Sequence, residues 1–98
     1  MAKKEQQILR EMMRFVMLRL VNGAPHNTNS SVLSMQLNGA GYSNTRDQVK
    51  SEIRWLEQAG LLEVEEVESV LIVSITERGE DVANGLSKVD GIAYMRGA

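Results

Sequence analysis

The 98-residue sequence has no cysteine, one proline, one histidine and only four aromatic residues. Without cysteine, disulfides, thiol catalysis and cysteine-based zinc sites are excluded. The lone His26 lies in a polar loop and cannot build a histidine-rich metal site by itself, so no role is assigned to it. Long apolar runs are missing as well. The stretch from Ile8 is broken by Arg10, Glu11, Arg14 and Arg19, which excludes a signal-peptide layout and a membrane span of about 20 apolar residues. No excess of positive charge is present: 11 basic and 13 acidic groups give a net charge of -2. That balance excludes a protein that grips nucleic acid by bulk charge. What remains is an ordinary globular composition, 43% hydrophobic and 24% charged, enough for one small cytoplasmic domain that gains stability by self-association.

The charge is unevenly spread. Residues 1–60 carry 8 basic and 5 acidic groups, net +3; residues 61–98 carry 3 basic and 8 acidic groups, net -5. The chain is therefore an electrostatic dipole along its sequence.

Periodicity predicts a first helix over 5–22, with ten of the 14 residues from Ile8 to Val21 apolar. So wide an apolar surface suits a central position, or contact with a second copy through Met13, Phe15, Met17 and Leu20. A polar loop with Gly23 and Pro25 follows. Asn29 or Ser30 caps a second helix over 30–38, with Val32, Leu33, Met35 and Leu37 as its expected buried side. A third helix spans 44–59. Thr45 and Gln48 have capping-box spacing, Val49, Ile53 and Leu56 form its stripe, and Gly60 ends it. A two-stranded antiparallel hairpin is expected over 61–75, with an alternating acidic first strand and a β-branched second one. Thr76 caps a fourth helix over 76–88 whose inward face is Val82, Leu86 and Val89. Residues 89–98 read as a loose tail or a docking arm.

This is a mainly α chain with a small hairpin, in the order of a winged helix-turn-helix domain. The segments Arg46–Val49, Trp55–Glu57, Thr76–Gly79 and Val82–Gly85 resemble the short winged-helix proteins of Mu-like phages and prophages. The match is tight over the C-terminal half and holds in pattern over the N-terminal half. The resemblance implies phage or prophage origin, a bacterial host cytoplasm and a winged-helix fold; it implies no settled activity.

On the third helix, Arg46, Lys50 and Arg54 recur at i, i+4, i+8 and form one basic ridge about 60–140° from Val49. Arg pairs with guanine edges or phosphate, Lys with phosphate, and Asn44, Thr45, Gln48 and Ser51 offer neutral hydrogen bonds. The bland alternative is a solvated face balanced by Asp47 and Glu57. In this position of the fold, duplex DNA is the favoured partner. Trp55 lies off the main stripe and is expected to pack against the first helix or the hairpin.

The hairpin argues otherwise. Glu63, Glu65, Glu66 and Glu68 would repel phosphate, so the wing is expected to point away from DNA. Those carboxylates could guard a sheet edge, or the hairpin or first helix could dock another protein. No catalytic constellation, phosphate loop or cofactor motif stands out; Asp47 and Glu52 do not face one another. The expectation is a dimeric, non-enzymatic DNA-binding protein, either a transcription regulator or a DNA-handling accessory factor. The competing expectation is a winged-helix protein-interaction module that does not bind DNA.

Overall fold

The computed structural model describes residues 2–95. Four helices, α1 (Lys3–Asn22), α2 (Ser30–Gly39), α3 (Arg46–Gln58) and α4 (Glu77–Ala83), pack with strands β1 (Thr28–Asn29), β2 (Leu62–Val67) and β3 (Val70–Ile75). The chain is thus mainly helical, with a small antiparallel sheet. That sheet has three strands in the order β1-β3-β2, not two. Thr28 pairs with Val73 and Asn29 with Ile72. Two residues carry no period of their own; β1 exists because β3 offers it an edge. Ser30 reinforces the join, its Oγ accepting from the Leu71 amide at 3.1 Å.

The core is built from stripes. Leu33 and Leu37 of α2, Val49, Ile53 and Leu56 of α3, and Met17 and Leu18 of α1 are all fully buried around Leu61 and Val73. Burying one such side chain is worth about 1.5–3 kcal/mol. The rotation of α2 differs from expectation. Ser30 and Ser34 share its buried face with the two leucines, while Val32 and Met35 face outward. Phe15 and Met17 of α1 are also core residues, only 2% and 0% exposed, so they cannot meet a second copy. Met13 and Leu20 are partly buried against the same core.

The hairpin closes through Glu68 and Ser69, both with positive φ (47° and 71°). Val67 and Val70 pair immediately before and after the turn. α4 stops at Ala83, short of the expected residue 88, and Leu86 is 75% exposed rather than inward. The segment after it returns to α1. Ile92 is buried, and the Ala93 amide donates to the Glu11 carbonyl at 3.1 Å. Residues 84–95 are therefore a docked arm. No helix among the described residues is long and apolar enough to cross a membrane.

Candidate nucleic-acid interface

The start of α3 is fixed by local chemistry. Thr45 Oγ1 accepts from the Gln48 amide at 3.1 Å, and Gln48 Oε1 accepts from the Thr45 amide at 2.8 Å, a complete capping box. Just before it, Asn44 ties the α2–α3 turn together. Its Oδ1 accepts from Ser34 Oγ at 3.0 Å and its Nδ2 donates to the Tyr42 carbonyl. Its amide donates to Asn38 Oδ1 at 3.1 Å. Gly41, at φ 94°, supplies the left-handed residue that the turn needs. Asn44 is thus committed to the turn, and Thr45 and Gln48 are largely committed to the cap.

The structure divides the expected contact residues between two flanks of α3. Helical spacing sets Arg46, Lys50 and Arg54 along one flank, from which Arg54 reaches Glu66 of the hairpin. Gln48 and Ser51 line a groove of about 1010 Å³ between α3 and α1, together with Leu9, Met13, Tyr42 and Trp55, and Asn44 and Arg54 border the same groove. The basic ridge is not uniform either. Arg46 is exposed and Lys50 half-buried, and neither forms an ion pair among the described residues. Arg54 is held between two carboxylates, its Nη1 3.0 Å from Glu57 Oε1 and its Nη2 2.9 Å from Glu66 Oε1. The Glu57 hydrogen bond raises the guanidinium pKa above its ordinary value; desolvation opposes it, and the charges of Glu57 and Glu66 and the Glu66 hydrogen bond add to the rise. Arg54 keeps its proton but has little net charge to offer a phosphate.

The position of the acidic hairpin is a second correction. Glu66 of β2 reaches α3 instead of pointing away from it. Glu63, Glu65 and Glu68 stay exposed, with no basic partner among the described residues.

On the opposite flank stands a cluster that sequence reasoning missed. Arg14 Nε donates to Glu52 Oε1 at 2.7 Å and Nη1 donates to the Gly91 carbonyl at 2.9 Å. The same guanidinium sits 3.9 Å from the Trp55 ring centroid. Arg10 adds a looser contact to Glu52 at 3.5 Å. The sequence carried a partial signal, since Arg14 stands between the apolar pairs Met12-Met13 and Phe15-Val16, and a charge buried among them needs a partner. The cluster braces α3 against α1 and the C-terminal arm. No group of three or more His, Cys, Asp or Glu among the described residues could hold a metal ion.

The chain is 36% identical over 89 residues to gp26 of Escherichia phage Mu, an uncharacterised protein, covering 91% of this chain and 93% of that one. It is 31% identical over 74 residues to an uncharacterised protein of Haemophilus influenzae strain Rd, covering 74% of this chain and 72% of that one. No protein-family model and no solved structure matches it.

Proposed function

The chain belongs to the same family as the phage Mu protein gp26, and on that premise we propose that it is a phage-derived winged helix-turn-helix protein that binds duplex DNA through the first two turns of α3. The observation that carries this reading is the pair Arg46 and Lys50. They are one turn apart on the accessible flank of a helix whose start is locked by a capping box, and neither has an acidic partner among the described residues. The element order α-β-α-α-β-β-α with sheet order β1-β3-β2 supports the fold assignment. In that arrangement α2 and α3 are the helix-turn-helix and β2-β3 is the wing.

The contact set is narrower than the seven residues suggested by sequence. Arg46 and Lys50 meet phosphate or base edges, and Ser51 and the free amide of Gln48 add neutral contacts. Asn44 and Thr45 shape the approach through the turn and cap. Two cations form a modest footprint, so binding is weak, with a log–log salt slope of only about −1.8. A DNA-handling accessory role and transcriptional regulation both use this contact, and neither requires catalysis. The experiment is fluorescence anisotropy of labelled duplex DNA with wild type and with Arg46→Ala/Lys50→Ala. Loss of salt-sensitive binding in the double variant, with unchanged circular dichroism, supports the reading.

A second reading, a protein-interaction module, is favoured by one observation: Glu63, Glu65 and Glu68 project from the hairpin without cationic partners among the described residues. A basic partner protein would suit them, and duplex DNA would not.

A further inference from the structure

The buried side of α1 faces the core, yet its N-terminal half leaves Ile8, Leu9 and Met12 exposed at 50%, 42% and 37%. At about 100° per residue, Ile8, Met12 and Val16 follow one stripe on the face away from the Arg14–Glu52 cluster. Val16 is partly buried, so the stripe runs continuously from exposed surface toward the core. Two charges bound it, Glu5 in the first turn and Arg19 in the last, both exposed. Neither has an ion-pair partner among the described residues. They lie about 40° apart around the axis and roughly 21 Å apart along it.

The spacing is symmetric. Met12 is midway between Glu5 and Arg19, and also midway between Ile8 and Val16. We propose that this stripe is covered by α1 of a second copy, packed antiparallel about a two-fold axis through Met12. In that register Met12 meets its own counterpart, Ile8 meets Val16 of the other copy, and Glu5 meets Arg19 twice. An isologous contact demands this self-complementarity, because each patch faces itself reversed. A parallel pairing would instead set Glu5 against Glu5 and Arg19 against Arg19. Each charge also suits the dipole of its own helix end, and the antiparallel register uses that same pattern. The contact is one helix long, so it belongs with small, weak interfaces, with dissociation in the micromolar range. It involves none of the α3 residues and stands whether or not α3 binds DNA.

The test is sedimentation equilibrium of the full chain, from about one to several hundred micromolar to span that weak range. Wild type is expected to dimerise. Glu5→Arg alone and Arg19→Glu alone each turn two attractions into two repulsions and are expected to weaken self-association about ten-fold. The double variant should restore it, and an equimolar mixture of the two single variants should form heterodimers. Met12→Lys sets two lysines on the axis and should leave a folded monomer, with the fold checked by circular dichroism. A wild-type monomer throughout the range, a dimer indifferent to Met12→Lys, or a double variant no better than the singles would overturn the proposal.

Discussion

Arg14 and Glu52, 38 positions apart in sequence, form the shortest ion pair among the described residues, with Nε 2.7 Å from Oε1. Their side chains are only 11% and 13% exposed. Burial of this kind means that removing either partner strands the other. Arg14→Ala also loses the stack on Trp55 and the bond to Gly91. It is expected to cost about 3–5 kcal/mol, and Glu52→Gln less because the hydrogen bond can survive. Urea denaturation followed by circular dichroism measures both. Equal stability of all three proteins would show that the cluster contributes nothing.

Gly79 explains why a glycine follows the Thr76 cap. A Cβ there would overlap the Leu61 carbonyl oxygen and lie 2.8 Å from Ile75 Cγ1. The obstacle is backbone and cannot swing aside. Gly79→Ala is expected to destabilise by roughly 2–3 kcal/mol through overpacking. Gly39→Ala, with nothing within 4 Å of the added atom, should be neutral or slightly stabilising. Thermal unfolding of the two variants separates a site-specific clash from a general effect of glycine replacement.

The hairpin turn places two side-chain-bearing residues, Glu68 and Ser69, at positive φ, where L-residues pay about 1–2 kcal/mol each. Two-residue turns of this handedness favour Asn-Gly. Glu68→Asn with Ser69→Gly is expected to raise stability by about 1 kcal/mol, readable as a higher denaturation midpoint. A lower midpoint would mean that the side chains make compensating contacts.

Arg54 distinguishes a neutralised cation from a free one. Arg54→Ala/Glu66→Gln, which removes the cation together with one of its two carboxylates, should change DNA affinity by less than about two-fold. Glu66→Gln should strengthen binding by partly freeing the guanidinium. Anisotropy titrations at fixed salt compare the two. A large loss from the double variant would restore the full three-residue ridge.

The limits of what could be read from the sequence are physical. The ends of α3 were legible because capping residues and a terminal glycine act locally, and Val49, Ile53 and Leu56 mark one face unambiguously. β1 was not legible, since its pairing with Val73 and Ile72 is a property of β3. In α2, Val32 and Met35 imitate a buried face while Ser30 and Ser34 take that face by hydrogen bonding. Helical spacing sets Arg46, Lys50 and Arg54 on one face of α3, but does not reveal that Glu66, 12 residues away, folds back onto Arg54. Pairing across elements decides which charges remain available, and spacing within one helix does not reveal it.

The decisive measurement is the salt dependence of duplex-DNA binding by wild type and by Arg46→Ala/Lys50→Ala. Wild-type affinity should fall as salt rises with a log–log slope of about −1.8, the value for two phosphate contacts, and the double variant should bind more weakly with a slope near zero. Absence of salt-sensitive binding at low ionic strength, or an identical slope in the double variant, would contradict DNA recognition by α3.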